Sequence, residues 1–141
     1  MENLGYPAHV YPNGEGGWIV KFRDIPEAFT EIWSMDELQS TALDCLVTAM
    51  DFYIEDGRKF PEPSKGEEGD YFIEVPASVR AKILLLNTMI DDNIRPVDLA
   101  RKMKVRTQDV TRILNIGHTT KIDTIEQALK ALDKHMYIGA C

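Results

Sequence analysis

The stretch from Pro96 to Ile113 constrains the fold most strongly. Its apolar residues have the spacing that is expected for two short helices joined by a tight turn. Proline is common at a first helical position, and Thr107 suits the cap of a second helix. We expect the helices to run from Pro96 to about Met103 and from Thr107 to about Asn115. The positions predicted to face inward are Leu99, Met103, Val105, Val110 and Ile113.

A small residue and a basic outer face complete this pattern. Ala100 allows two helices to cross closely, and Lys104 lies at the turn position that normally requires a positive φ. A residue other than glycine adopts that conformation at a cost on the order of 1 kcal/mol. The spacing is typical of a helix-turn-helix, with a plain helical hairpin in a core as the alternative. The outer groups that can reach base edges or phosphates are Arg106, Thr107, Gln108, Thr111 and Arg112.

Further helices are predicted on both sides of this motif. A helix over 76–93 has Val79, Ile83, Leu86 and Ile90 on one face, and a last helix capped by Asp123 follows the motif. The loop before that last helix is predicted to contact the DNA backbone through Thr119, Thr120 and Lys121. This arrangement of helices resembles the phage-repressor type of DNA-binding domain. We therefore assign residues 76–141 to a helix-turn-helix DNA-binding domain.

The first half of the chain shows an α+β pattern. Strands are predicted over Tyr6–Tyr11, Trp18–Phe22 and Ala28–Trp33. A helix capped by Ser34 follows and stops at Gly57. Residues 58–69 are a linker by composition, and a strand over 71–75 either joins the first sheet or stands between the halves. The first domain is thus predicted over residues 1–69.

Charge separates the two halves. The 141 residues carry a net charge of −7, but residues 1–69 hold 14 acidic and 5 basic side chains, and residues 95–121 hold 7 basic and 2 acidic ones. An acidic half attracts a basic protein, whereas the basic stretch suits phosphates. The two cysteines have no zinc-like spacing, and we expect neither metal nor cofactor. No apolar run approaches the ~20 residues of a membrane span, and the start is unlike a signal peptide, so we expect a cytoplasmic protein without membrane contact.

The order of several segments is specific. They are YPAHVYP, EGGWIVKFRDIPEAFTE, DFYIEDG, FPEPS, YFIEVPASVRAKILLLN and HTTKIDTIEQALKAL. From Tyr6 to about Leu132 the chain resembles the HicB antitoxin family, in the version with a C-terminal helix-turn-helix domain. The resemblance implies a first domain with a partial RNase H-like fold that binds a HicA-type toxin, a small basic ribonuclease with a double-stranded-RNA-binding-like fold and a catalytic histidine. It also implies that the antitoxin blocks this toxin and represses its own operon.

The RNase H-like resemblance raises the possibility of an enzyme, which the residues disfavour. A nuclease of this fold needs a carboxylate in its first strand to help hold two metal ions. The first strand offers Ala8, His9 and Val10 instead, so we expect no catalytic activity.

Acidic residues of the first domain are the candidates for toxin contact, because they can mimic the phosphate charge of RNA. We single out Asp24 and Glu27 at a proline-flanked turn and Glu31 on the third strand. One helix reads too few base pairs, so we expect a homodimer or higher oligomer on operator DNA. The alternative function is a stand-alone transcriptional repressor whose first domain senses a ligand or another protein.

Overall fold

The computed structural model describes residues 5–141 and divides into two compact units. The first unit contains the chain up to Asp56 together with Phe60–Val75, and the second contains Gly57–Lys59 and Pro76–Cys141. Residues 1–4, with which the predicted first domain begins, lie outside the described residues. Strands and one long helix form the first unit and helices form the second, which confirms the predicted α+β class.

The first unit contains a four-stranded antiparallel sheet with the order β3-β2-β1-β4. Its strands are β1 (Tyr6–Pro12), β2 (Trp18–Phe22), β3 (Phe29–Ile32) and β4 (Tyr71–Ile73). The sequence left two places open for β4, and the structure pairs it with β1, where Tyr6 lies opposite Ile73. The chain therefore returns to its first strand before the long segment of the second unit begins at Pro76.

A single long helix, α1 (Leu38–Glu55), packs against this sheet. One 3₁₀ turn precedes it, and the predicted cap Ser34 accepts a hydrogen bond from the Asp36 N–H at 3.3 Å. The helix ends as predicted, with Gly57 at a φ of 67° just beyond its C-cap. Its buried side chains are Leu38, Ala42, Leu46, Ala49, Met50 and Tyr53. Cys45, predicted on the same stripe, is only half-buried.

The segment predicted as a linker over 58–69 is in large part folded against the first unit. Phe60 is buried, and its ring meets those of Tyr6 and Tyr53 edge-on at centroid distances of 5.6 and 5.3 Å. The Tyr6 hydroxyl donates to the Pro61 carbonyl at 2.7 Å. The composition of the segment is that of a linker, but ring contacts and hydrogen bonds to the first unit hold it.

The second unit is a cluster of four helices. They are α2 (Ala77–Asp91), α3 (Pro96–Met103), α4 (Thr107–Leu114) and α5 (Ile122–Ala131). Of the five positions predicted to face inward, the prediction is wrong for Val105, whose side chain is 40% exposed. Its backbone N–H donates to the Ala100 carbonyl at 3.0 Å. The core of this unit contains Ala81, Leu85, Met89, Leu99, Ala100, Val110, Ile113, Ile125, Ala128, Leu129 and Leu132.

The buried face of α2 differs from the predicted one. Of the four residues predicted there, only Leu86 is fully buried, and the buried stripe is Ala81, Lys82, Leu85, Leu86 and Met89. The prediction followed apolar residues alone and so left Lys82 out of the face, whereas the buried stripe includes it. Burial of a lysine requires hydrogen-bond partners, which α2 alone does not reveal.

The starts of the last two helices also differ from the prediction. Arg106, not Thr107, is the N-cap of α4, and the Asp109 carboxylate accepts its N–H at 3.3 Å. In α5 the N-cap is Lys121, so Asp123 lies within the first turn rather than before it. An acidic residue there still favours the helix through its dipole.

The turn between α3 and α4 has the predicted backbone conformation. Lys104 has a φ of 59° and a ψ of 43°, which is the left-handed region. Its N–H is held by the carbonyls of Ala100 and Arg101 at the end of α3. A lysine therefore occupies a position that glycine adopts without strain.

Replacing Lys104 by glycine is expected to raise the melting temperature of the second unit by a few degrees. Relief of strain contributes roughly 1–2 kcal/mol, of which the greater unfolded-state entropy of glycine offsets about 0.5–1 kcal/mol. Lys104→Ala is the matched control, because it removes the same charge and keeps the strain. Thermal unfolding followed by far-UV circular dichroism compares the two variants, and equal melting temperatures would contradict the expectation.

Candidate nucleic-acid interface and acidic surface

The outer face of α4 carries polar side chains, some of which already form hydrogen bonds or ion pairs within the second unit. The Arg106 guanidinium pairs with the Asp109 carboxylate, with Nη2 and Oδ1 3.2 Å apart. The Thr111 hydroxyl donates to the Thr107 carbonyl at 3.1 Å, so it is partly engaged by its own helix. Both side chains stay at the surface, where the remaining Arg106 N–H groups can still donate and the Thr111 oxygen can still accept a hydrogen bond.

Gln108 and Arg112 make no side-chain hydrogen bond within the described residues, although the charge of Arg112 also helps to lower the pKa of Asp109. Both side chains are exposed. An amide and a guanidinium one helical turn apart lie side by side. These two groups are the donors that commonly read adenine and guanine edges in a major groove.

Basic side chains continue from α4 into the preceding turn. Arg101, Lys102 and Lys104 are all exposed at the end of α3 and beyond it. At the start of α3, Arg95 holds the pKa of Asp98 at about 2, through side-chain hydrogen bonds first and a backbone hydrogen bond second. The Arg106 guanidinium likewise lowers the pKa of Asp109. Asp98 and Asp109 are thus engaged in capping α3 and α4. The basic side chains around them outnumber these two carboxylates.

The predicted DNA-contact residues in the loop after α4 differ in their exposure to solvent. Thr119 and Lys121 are exposed. The side-chain oxygen of Thr120 is instead buried and has no hydrogen-bond partner within the described residues. In this conformation the Thr120 hydroxyl does not face solvent.

A buried lysine lies beneath this loop, and sequence reasoning did not single it out. Lys82 is 2% exposed, and its ammonium donates to the carbonyl of Asn115 at 2.6 Å and to that of His118. Burial lowers the pKa of Lys82. The only sequence signal was the position of this lysine beside Ile83, at helical spacing from Val79 and Leu86 of the predicted apolar face of α2.

The acids predicted to meet a toxin are all at least partly accessible, and each has a partner in the first unit. Asp24 is half-buried and accepts the Ser64 N–H at 2.8 Å. Glu27 is exposed and accepts the Tyr53 hydroxyl at 2.7 Å. Glu31 lies exposed on the edge strand β3 and accepts from the amide nitrogen of Asn13 at 3.0 Å. The three therefore have both a structural role and an accessible carboxylate.

A second acidic surface lies on the outer face of α1, which contains no basic residue. Asp44, Asp51 and Glu55 are exposed there, beside Phe52, whose side chain is 56% exposed. The helical spacing of Asp44 and Asp51 in the sequence already indicates that they lie on one side of the helix. Such a face suits contact with a basic surface.

Two further findings concern the described residues alone. No three or more histidine, cysteine, aspartate or glutamate side chains among them are grouped so that they could hold a metal ion. Over the same residues, no helix has the length and apolar content needed to cross a membrane.

Comparison with known proteins identifies relatives over nearly the whole chain. Residues 5–84 match the model of a family described as HicB-like antitoxins of bacterial toxin-antitoxin systems. "Antitoxin HicB 2" of Photorhabdus laumondii is 48% identical over 139 residues, which cover 99% of this chain and 98% of that protein. "Antitoxin HicB" of Escherichia coli is 45% identical over 133 residues, covering 94% of this chain and 96% of that protein.

A more distant relative extends the likeness. "Antitoxin HicB" of Pseudomonas fluorescens is 29% identical over 135 residues, covering 95% of this chain and 92% of that protein. These relatives span both units, whereas the family model ends within α2. The chain belongs to the HicB-like antitoxin family of bacterial toxin-antitoxin systems.

Proposed function

We propose that this antitoxin binds and blocks a small HicA-type ribonuclease toxin through its first unit and represses its own operon through its second. The single observation that carries the DNA-binding part is the outer face of α4. There Gln108 and Arg112 are exposed beside a basic turn and make no side-chain hydrogen bond within the described residues. The excess of acidic residues in the first unit supports the toxin-binding part. The protein is proposed to act as a regulator in the cytoplasm and not as an enzyme.

On DNA, α4 is proposed to act as the recognition helix of a helix-turn-helix. Gln108 and Arg112 read base edges, while Arg106, Thr107 and Thr111 contact the rim of the groove. Thr119, Thr120 and Lys121 lie on the backbone side, and the buried hydroxyl of Thr120 makes it the weakest of these candidates. A homodimer or higher oligomer places two such helices on half-sites about 34 Å apart.

On the toxin, the acidic surface of the first unit is proposed to occupy the basic face that holds RNA. Asp24, Glu27 and Glu31 are the proposed contacts, because their carboxylates lie at a turn and on an edge strand where a partner can approach. Charge complementarity raises the rate of association, and the contact area and shape set the final affinity.

Co-expression with the protein encoded beside its gene tests the antitoxin part directly. A tight complex that stops RNA cleavage by that partner is the expected result. If no complex forms while the upstream DNA is still bound, the protein is a stand-alone repressor whose first unit senses something else.

The isosteric triple change Asp24→Asn, Glu27→Gln and Glu31→Gln is expected to slow toxin association by about tenfold at low salt. The amides keep an oxygen that accepts the same internal hydrogen bonds, so the fold is retained. The matched control neutralises the same number of charges on the outer face of α1: Asp44→Asn, Asp51→Asn and Glu55→Gln. Stopped-flow association rates at two salt concentrations compare the two variants, and a larger loss in the control moves the contact to α1.

A further inference from the structure

The second unit buries one cation without an acidic partner. Lys82 is 2% exposed, and its ammonium donates to two main-chain carbonyls, those of Asn115 and His118. The carboxylate of Asp70, whose side chain is 1% exposed, by contrast pairs with Arg23. A buried charge is costly unless it is well hydrogen-bonded, and an apolar side chain of similar size often stabilises such a position as well or better. The lysine is therefore weakly explained by stability alone.

The two carbonyls belong to a specific place in the fold. Asn115 is the C-cap of α4, where the last carbonyls of the helix carry a partial negative charge that favours a cation. His118 lies on the far side of a short turn, so one ammonium joins the end of α4 to the loop that follows. Lys82 itself lies on α2, in the stripe packed on the core of this unit. The ammonium thus anchors α4 and its loop to a third element.

The same turn is closed by two more hydrogen bonds. The Asn115 side-chain oxygen accepts the Gly117 N–H at 2.9 Å, and the Asn115 carbonyl accepts the His118 N–H at 3.0 Å. The Asn115 carbonyl therefore has two donors, one of which is Lys82. Loss of the lysine would leave the His118 carbonyl without this donor and the turn held by local bonds alone.

We propose that Lys82 is a positioning residue for DNA binding, which holds the end of α4 and the turn 115–118 in the arrangement that presents Arg112 and Lys121 to DNA together. This inference rests on the proposed operator-binding function of α4. Lys82 touches no DNA in this scheme and acts through the carbonyls that it holds. Its replacement is therefore expected to reduce operator affinity far more than it reduces stability.

The test uses the full-length chain with Lys82→Met, which keeps the length and apolar stem and removes the donors. Affinity for the DNA upstream of its own gene is expected to fall about tenfold. The slope of log affinity against log salt should become shallower by about 0.9 for each phosphate that the variant no longer neutralises. Lys82→Arg, which keeps a cationic donor, is expected to recover part of both quantities.

Met89→Ala on the same helix is the control, because it lowers stability without touching the loop. Under conditions where both variants are folded, Met89→Ala should keep the wild-type affinity and salt slope. A second measurement does not depend on DNA: amide hydrogen exchange at His118 should quicken in Lys82→Met, while the α4 amide of Ile113 keeps its protection.

The outcomes separate this inference from the function on which it rests. If the wild-type protein does not bind the upstream DNA, the proposed operator function fails. If the wild type binds and Lys82→Met binds with the same affinity and salt slope, the lysine is structural only and the inference is overturned. If Lys82→Met does not fold, Lys82→Arg decides: quickened His118 exchange together with weakened binding supports the inference, and quickened exchange with wild-type affinity and salt slope overturns it.

Discussion

Arg112→Ala is expected to weaken binding to the DNA upstream of the protein's own gene by about ten- to hundredfold per half-site. This corresponds to about 1.4–2.7 kcal/mol, which lies within the roughly 1–3 kcal/mol of a bidentate contact to a base. The side chain is exposed on α4 and hydrogen-bonds to nothing in residues 5–141, so its removal leaves the fold intact. Arg106 is a poorer choice for this test, because it also pairs with Asp109.

Fluorescence anisotropy with a labelled upstream duplex measures this effect, with every titration at the same salt concentration. Arg80→Ala is the control, since it removes an exposed arginine from α2, outside the proposed interface. Toxin neutralisation, followed as loss of RNA cleavage, should be unchanged in both variants. If Arg112→Ala also released the toxin, the assignment of the two activities to separate units would be wrong.

Locally encoded features of the fold could be predicted from the sequence. The stop at Gly57 and the left-handed turn at Lys104 each depend on a few neighbouring residues, and the structure confirms both. Ser34 caps the 3₁₀ turn that leads into α1, whose own N-cap is Glu37. The apolar spacing of α3 and α4 is similarly local, and four of its five inward positions are at least partly buried. Local structure can therefore be predicted where a stop or a turn position depends on neighbouring residues alone.

Features that depend on distant partners could not be predicted. Phe60 lies in a segment with the composition of a linker, and only the rings of Tyr6 and Tyr53 make it part of a core. The burial of Lys82 could not be predicted, because its two carbonyl partners lie 33 and 36 residues further along the chain. For the candidate site, the sequence predicts which residues of α4 are polar and exposed. It does not reveal that the Thr111 hydroxyl bonds to the Thr107 carbonyl or that the Thr120 hydroxyl is buried.

Leu99→Ala is expected to unfold the second unit and leave the first unit folded. Leu99 is 0% exposed and lies within the core cluster of the four helices. A buried leucine cut to alanine costs about 2–5 kcal/mol, partly through the cavity that remains. Small domains have only about 0.05–0.15 kcal/mol of stability per residue, so this loss removes most of the margin of a unit of this size.

The placement of the tryptophans lets one sample report on both units. The chain has two tryptophans, and both Trp18 and Trp33 lie in the first unit, so their fluorescence follows that unit alone, whereas far-UV circular dichroism also follows the helices of the second. In Leu99→Ala the helical signal should fall and operator binding should disappear, while the tryptophan transition and toxin binding persist.

Val97→Ala, a change at a 40% exposed position on the same helix, is the control. It should alter the free energy of unfolding by no more than about 0.5 kcal/mol. A tryptophan transition that shifted together with the helical signal would mean that the two units unfold as one, and that neither activity can be separated from the other by a change in the core.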